Sequence, residues 1–491
     1  MKKTMFLLSL VMMALFFAAC GEQSVAIYEE YAIDDYDNYD AEPVEELVMT
    51  PHYILVETDF GNQRIFSPGT LEIEHFLEDI DYMMYVLENN FALLEVADWA
   101  WGVDAWALAQ NAKEDVLAAY EAGILCENMY LALLRRSFFP LMPIGHFDIF
   151  TPGTYHAMVT NPYGSRYHSP GVILNNRLLE TPLARRFYEY RAQNLDYFAE
   201  VLREVMDETE GVYNRLLGDF SDVDLTMFAP HELTTKVLEE GRIAYIFVNS
   251  FLGANHMDWH ANQQQIFDFY VEINDFDHLI IDLRNHRGGN IDYFINNFLR
   301  PHLEESVTVN SFHFFMDGPY IRRLGDAIFA RTVSNGNLII PSDYRPVYEI
   351  ISDYELPELR IADMERLHYG TASSTGRIHP TPRHAGAEIA FPGEIWMLTN
   401  ERMFSAAQAA ARISMETNFA THVGERTGGS AGGLRTLALL PNTGIAIYFD
   451  VFYLTDSNGR PLEAGTVPHH SNRPGMDALE TVIALIGEGE Y

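Results

Sequence analysis

The segment T-N-E-R-M-F-S-A-A-Q at residues 399–408 places a serine between a predicted strand and a predicted helix. Upstream, the apolar run E-I-W-M-L at 394–398 predicts a buried strand. Downstream, residues 406–415 are rich in good helix formers. The hydroxyl of a serine at such a turn is exposed, and the free N–H groups of the new helix stabilise a developing oxyanion. Ser405 is therefore a candidate nucleophile, and the alternative is that it only caps the helix.

Three further segments combine a strand or a turn with glycine. The segment H-L-I-I-D-L-R-N-H-R-G-G-N at residues 278–290 predicts a strand that runs into a turn carrying Gly288 and Gly289. Paired glycines permit positive φ and a close approach of backbone to a ligand, although such a pair also serves as an ordinary turn. The other two are A-T-H-V-G-E-R-T-G-G at residues 420–429 and L-E-A-G-T-V-P at residues 462–468.

In this order and spacing, the four segments resemble the C-terminal processing (tail-specific) serine protease family. The resemblance extends over residues 240–475, with a weaker match near His146. It implies an α/β fold with a mixed sheet and helices, of the crotonase-like or ClpP-like protease type, plus an N-terminal helical domain. It also implies hydrolysis of peptide bonds. Two departures are Gln408 in the glutamate region of the nucleophile turn and a terminal element that is one residue shorter than in the family.

The chain lacks the lysine that the Ser-Lys branch of this family uses as its general base. That branch places the lysine just after the G-E-x-T loop, where this sequence has Ser430. Lysine occurs only at positions 2, 3, 113 and 236, none of which lies in a family motif. Either the protein is inactive, or another residue takes the proton.

A second branch of the family, with the tricorn protease and the chlamydial secreted protease, uses serine, histidine and glutamate. The segment P-I-G-H-F at residues 143–147 resembles the D-G-H-T turn of this branch, so His146 is the candidate base. His286, beside the paired glycines, is the rival candidate. Glu463 matches the glutamate that opens the terminal element, so the resemblance assigns it the carboxylate role.

These assignments are chemically consistent with acyl transfer. A serine hydroxyl becomes a strong nucleophile when an imidazole, with a pKa of about 6.5, accepts its proton. A carboxylate then fixes the imidazole tautomer and stabilises the imidazolium. The expected oxyanion donors are contributed by Gly288, Gly289 and the N–H of Ala406. The resemblance implies no metal and no cofactor.

The N-terminus predicts export and lipid anchoring. Residues 1–19 form a lipoprotein signal peptide, with Lys2 and Lys3 followed by an apolar run too short to span a bilayer. The run ends in A-A-C, so Cys20 is the expected lipidation site and first mature residue. An ordinary signal peptide with an incidental cysteine is the alternative. The expected location is the bacterial cell envelope, outside the cytoplasm.

An acidic segment at residues 20–50 follows and predicts a disordered tether, because its like charges repel and it lacks aliphatic periodicity. The whole chain has 491 residues and a formal net charge of −38. Such a charge argues against nucleic acid as a partner. The expected partners are a peptide or protein substrate and, through the lipid, a membrane.

The rest of the chain divides into an N-terminal helical domain at 51–150, a loop-rich and helical connecting region at 151–239, and a protease core at 240–491. In the core, residues 434–440 and 445–454 predict a β-hairpin. The sequence is compatible with two functions. The first is an envelope-anchored serine endopeptidase with a Ser-His-Glu triad, and the alternative is a catalytically inactive relative that binds peptides or an apolar ligand.

Overall fold

The computed structural model describes residues 53–58, 61–66, 71–160, 177–193, 231–253, 256–321, 345–374, 377–381, 390–429, 432 and 434–489. The predicted signal peptide, Cys20, the acidic tether and Ser430 lie outside these residues.

The described residues form α-helices and β-strands throughout. The strands are β1 (Tyr53–Thr58), β2 (Gly61–Phe66), β3 (Asp148–Ile149), β4 (Leu233–Glu239), β5 (Ile243–Val248), β6 (His278–Asp282), β7 (Asn310–Phe315), β8 (Arg345–Pro346), β9 (Tyr369–Ser374), β10 (Glu394–Thr399), β11 (Thr421–Gly424), β12 (Arg435–Leu439), β13 (Ala446–Asp450), β14 (Phe452–Thr455) and β15 (His470–Ser471). The helices are α1 (Ile73–Asn90), α2 (Leu94–Trp101), α3 (Ala105–Glu121), α4 (Glu127–Ser137), α5 (Pro152–Thr160), α6 (Pro182–Gln193), α7 (Trp259–Glu272), α8 (Ile291–Phe294), α9 (Arg300–His302), α10 (Val347–Asp353), α11 (Ala406–Glu416) and α12 (Ala478–Glu488). A π-helical turn at Ile295–Leu299 joins α8 to α9, and short 3₁₀ helices occupy Phe139–Leu141, Ile361–Arg366 and Leu462–Ala464.

A six-stranded sheet in the order β15-β11-β10-β6-β5-β4 forms the centre of the molecule. Its strands from β5 to β15 are parallel to their neighbours, and only β4 is antiparallel to β5. The central strand β6 has the sequence H-L-I-I-D and is buried along its whole length. Such near-continuous apolar runs are typical of parallel strands that are covered on both faces. The mixed α/β fold with a mixed sheet, predicted from the sequence, is therefore confirmed.

A three-stranded antiparallel sheet, β12-β13-β3, brings distant parts of the chain together. β12 and β13 form the predicted hairpin, and β3 pairs with β13 so that Asp148 lies opposite Tyr448. The hairpin turn is held by Asp79 of α1, whose carboxylate accepts hydrogen bonds from the Thr443 N–H at 2.9 Å and the Thr443 hydroxyl at 2.6 Å. The N-terminal helices thus fix the position of this hairpin.

The second strand of the predicted hairpin is divided in the structure. β13 ends at Asp450, and β14 begins at Phe452 and pairs with β7 in a separate four-stranded sheet, β14-β7-β9-β8. The chain therefore leaves one sheet for another immediately after Asp450.

Two large apolar clusters stabilise the fold. The first joins the N-terminal helices to the three-stranded and the four-stranded sheets, so the helices and the C-terminal part of the chain share one core. The second lies between the six-stranded sheet and the helices α7, α8 and α11. The boundaries predicted for the domains stay predictions. In the described part of the chain, no helix has both the length and the apolar character needed to cross a membrane.

Candidate active site

Ser405 lies at the turn from β10 to α11, in a backbone conformation that non-glycine residues rarely adopt. Its φ is +57° and its ψ is −122°, and its side chain makes no capping hydrogen bond to the helix. The turn is held by the Ser405 N–H, which donates to the Gly429 carbonyl at 3.1 Å, and by the Phe404 N–H, which donates to the His286 carbonyl at 3.1 Å. A strained backbone held by its surroundings is typical of functional residues. The helix-capping alternative does not describe this serine.

His146 contacts the hydroxyl of Ser405. Its Nε2 atom lies 3.2 Å from Ser405 Oγ, within hydrogen-bonding distance, and both residues are buried. His146 follows Gly145 in a turn where both residues have positive φ, +55° at Gly145 and +48° at His146. A Cβ at Gly145 would lie 2.6 Å from atoms of both Leu93 and Phe91, so only glycine fits there. The turn that carries His146 is thus packed against the N-terminal helical region.

The carboxylate next to the other ring nitrogen belongs to Asp450. Its Oδ2 atom lies 2.7 Å from His146 Nδ1, and both side chains are buried. When Nδ1–H donates to this carboxylate, Nε2 is left as the acceptor for the Ser405 hydroxyl. The side chains therefore form a continuous chain from Ser405 Oγ through the imidazole to Asp450. This relay can transfer a proton away from Ser405 during attack on a carbonyl carbon.

Glu463 lies beside this relay, but its position differs from the role predicted for it. Its Oε1 atom accepts a hydrogen bond from the Gly145 N–H at 2.5 Å, while Asp450 occupies Nδ1 of His146. Its own carbonyl accepts a hydrogen bond from the Trp101 indole at 2.8 Å. Glu463 therefore holds the backbone of the turn that carries His146, and the carboxylate in contact with the ring is that of Asp450, which was not predicted.

A sequence signal for Asp450 does exist. It is the single acidic residue in the otherwise apolar stretch 445–454, where an aspartate is unfavourable unless it is paired. In the hairpin it lies directly opposite Arg435, and the guanidinium Nε is 3.4 Å from Asp450 Oδ1. An acid facing an arginine within a buried hairpin marks a charged site inside the core.

The pKa of His146 is lowered from its usual value near 6.5. Burial, which disfavours the charged imidazolium, is the main cause, and the positive charge of Arg435 adds to it. The carboxylate of Asp450 acts in the opposite direction but does not cancel these effects. His146 is therefore neutral near pH 7, which is the state that a general base requires.

The rival histidine, His286, makes different contacts. Its buried ring packs against Phe251 with the ring centroids 3.9 Å apart, and its Nδ1 accepts a hydrogen bond from the Gly288 N–H at 3.0 Å. The histidine within hydrogen-bonding distance of the Ser405 hydroxyl is His146. The two lysines among the described residues contact other groups. Lys113 forms an ion pair with Asp81, and the Lys236 ammonium lies over the Tyr245 ring.

Two of the three residues predicted to supply oxyanion donors lie next to Ser405: Ala406 follows it in sequence, and Gly288 packs against it. A Cβ at Gly288 would lie 2.7 Å from Ser405 Cβ and 2.9 Å from the Ala406 nitrogen, so the glycine leaves the space beside the nucleophile open. Gly289 is pressed against the Phe251 backbone, where a Cβ would lie 2.0 Å from the Phe251 carbonyl oxygen. The Gly288 N–H is already donated to His286. The Gly289 and Ala406 N–H groups therefore remain as the candidate donors.

Several solved structures are similar to this chain. The putative peptidase from Parabacteroides merdae ATCC 43184 is 15% identical, with coverage of 84% of this chain and 96% of that one and a TM-score of 0.43. Mature CPAF complexed with lactacystin is 12% identical, with coverage of 85% and 98% and a TM-score of 0.44. The photosystem II D1 C-terminal processing protease is 16% identical, with coverage of 50% and 49% and a TM-score of 0.29. No curated protein matches the sequence.

The family comparison covers the sheet that carries the nucleophile. Residues 242–471 match the model of Peptidase family S41. The matched region includes Ser405, Asp450 and Glu463, whereas His146 lies about a hundred residues before it. Through residues 242–471 the chain is similar to Peptidase family S41, and by this match it is a serine-type peptidase.

Proposed function

We propose that this chain is a serine endopeptidase in which Ser405 is the nucleophile, His146 the general base and Asp450 the carboxylate that orients the base. The observation that carries the proposal is the uninterrupted contact from Ser405 Oγ to His146 Nε2, at 3.2 Å, and from His146 Nδ1 to Asp450 Oδ2, at 2.7 Å. The expected substrates are peptides or proteins, as the family domain implies.

In the first half of the reaction, His146 Nε2 takes the proton of the Ser405 hydroxyl as Oγ bonds to the carbonyl carbon of the substrate. The negative charge moves to the carbonyl oxygen, where the N–H groups of Gly289 and Ala406 stabilise it. The imidazolium then gives its proton to the leaving amine as the C–N bond breaks, and an acyl-enzyme remains. In the second half, a water loses a proton to His146 as its oxygen bonds to the ester carbonyl carbon. The C–O bond to Ser405 then breaks, His146 returns the proton to Ser405 Oγ, and the carboxylic acid product leaves.

The proposal is tested with a fluorophosphonate probe and mass spectrometry. We expect the wild-type protein to be labelled at Ser405 and at no other serine. The Ser405→Ala variant removes labelling and proteolysis, and its thermal stability stays close to wild type. As a control, Ser414→Ala changes a buried serine within α11, which forms a hydrogen bond with His422 at 2.8 Å, and this variant should still be labelled at Ser405. A folded wild-type protein that is neither labelled nor proteolytic contradicts the proposal and favours the ligand-binding alternative.

We also propose that the mature protein is anchored to the bacterial envelope through a lipid on Cys20. The support is sequence alone: a basic start, an apolar run and the A-A-C site at residues 18–20. An acyl-linked Cys20 carries enough buried methylene groups for stable membrane attachment when two or more chains are present. Expression in a bacterial host, followed by fractionation and mass spectrometry, checks this. The Cys20→Ala variant should leave the membrane fraction, and recovery of wild type with an unmodified Cys20 contradicts the proposal.

A further inference from the structure

His286 takes no part in the proposed proton transfers, yet it contacts both the glycine turn and the turn that carries Ser405. Its ring Nδ1 accepts the Gly288 N–H at 3.0 Å, which ties it to the glycine turn. Its backbone carbonyl accepts the Phe404 N–H at 3.1 Å, which ties it to the residue before Ser405. A single buried residue therefore sets the spacing between the glycine turn and the nucleophile turn.

The glycine turn lies between Phe251 on one side and Ser405 on the other. On the first side, the Phe251 N–H donates to the Gly288 carbonyl at 2.8 Å. The carbonyl and N–H of one trans peptide point in opposite directions, so this bond turns the Gly289 N–H away from Phe251. On the other side, a Cβ at Gly288 would lie 2.7 Å from Ser405 Cβ. The Gly289 N–H is thus turned to the side on which the substrate carbonyl meets the nucleophile.

We infer that His286 is a positioning residue of the oxyanion site. By accepting the Gly288 N–H, it fixes the peptide planes of the glycine turn so that the Gly289 N–H, together with that of Ala406, faces the carbonyl oxygen under attack. This inference rests on the proposed function of Ser405. It predicts a defect in turnover and not in substrate binding, because the oxyanion forms only in the transition state.

The surroundings of His286 favour the neutral ring that this role requires. Burial and the nearby charges of Arg287 and His231 hold its pKa well below the usual range. An imidazole that accepts at Nδ1 carries its proton on Nε2. Among the described residues, the Nε2 atom of His286 has no hydrogen-bond partner. The described contacts of the His286 ring are therefore the hydrogen bond that it accepts from the Gly288 N–H and its packing on Phe251.

The test compares His286→Leu with His286→Asn in the full mature chain, using a p-nitrophenyl ester as substrate and Ser405→Ala as the background. The Oδ1 atom of asparagine is as far along the side chain as Nδ1 of histidine, so this variant keeps an acceptor for the Gly288 N–H. We expect His286→Leu to lower kcat about 10²–10³-fold with little change in KM, as for removal of an oxyanion donor. His286→Asn should restore most of the loss. His422→Leu removes another buried histidine and should leave kcat within about twofold.

A second measurement uses the unchanged protein, in case His286→Leu does not fold. Nitrogen-15 NMR of histidine-labelled protein, with His286→Asn for assignment, reports which ring nitrogen carries the proton. We expect the Nε2–H form at pH 7. The inference is overturned if His286 is in the Nδ1–H form, or if folded His286→Leu turns over the ester within twofold of wild type. If wild type itself shows no turnover above Ser405→Ala, the proposed function fails, whereas the tautomer still tests the contact.

Discussion

The imidazole of His146 and the carboxylate of Asp450 are 2.7 Å apart although 304 residues separate them in sequence. The contact follows from the pairing of β3 with β13, in which Asp148 lies opposite Tyr448. β3 begins two residues after His146, and its partner β13 ends at Asp450, so the pairing of these two strands brings the turn that carries His146 next to Asp450. The Asp450 N–H also donates to the Gly145 carbonyl at 2.7 Å. The sheet register therefore sets the alignment of the base.

The first prediction concerns this carboxylate. Asp450→Asn should lower kcat by about 10⁴-fold, the magnitude found for the equivalent change in Ser-His-Asp triads, because the amide no longer favours the required tautomer. Fluorophosphonate labelling and ester hydrolysis measure the loss. Asp363→Asn is the matched control, because Asp363 is also buried and accepts a hydrogen bond from Tyr453 at 2.8 Å. Equal activity of Asp450→Asn and Asp363→Asn would show that Asp450 does not orient the base.

The second prediction concerns Glu463, which the sequence analysis placed in the triad. Glu463→Gln should reduce kcat by less than about tenfold, because a neutral amide oxygen still accepts the Gly145 N–H. Glu463→Leu should have a larger effect, because it leaves that buried N–H without its acceptor. Ester hydrolysis by both variants decides between the roles. A loss for Glu463→Gln as large as that for Asp450→Asn would restore Glu463 as the triad carboxylate.

The sequence predicted those features that depend on local chemistry. The strand before Ser405, the helix after it and the hairpin at β12–β13 follow from apolar runs, helix formers and turn residues in short stretches of sequence. The position of Asp450 depends instead on the register between β3 and β13, which no local pattern specifies. The motif match therefore predicted Glu463, whose carboxylate accepts the Gly145 N–H, instead of Asp450, whose carboxylate contacts the His146 ring.

The third prediction concerns the turn that carries the base. Gly145→Ala introduces a Cβ at positive φ that would lie 2.6 Å from atoms of Leu93 and Phe91. We expect a loss of about 1–3 kcal/mol in the free energy of unfolding and a fall in activity as His146 is displaced. Gly123→Ala is the control, because Gly123 has a similar φ of +70° with no atom within 4 Å of the added Cβ.

Comparison of the two glycine variants separates backbone strain from the clash. Strain alone costs about 1–2 kcal/mol and should appear in both, by chemical denaturation. The loss of ester hydrolysis should appear only in Gly145→Ala. If Gly123→Ala loses as much activity, the effect is a general one on folding, and the packing of the turn on the N-terminal helices does not position His146.

The fourth prediction is the pH dependence of kcat/KM, which reports the groups of the free enzyme. Only neutral His146 accepts the Ser405 proton, so activity should rise with pH as the imidazolium loses its proton and fall when the pH drops through that pKa. Because burial and Arg435 lower the pKa of His146, this limb should lie below about 6.5, the value of an unperturbed imidazole. Arg435→Gln removes one of the two lowering effects, so it should move the limb to higher pH. A limb that stays in place in Arg435→Gln, or one that lies in the range of an amine, would show that His146 is not the group being titrated.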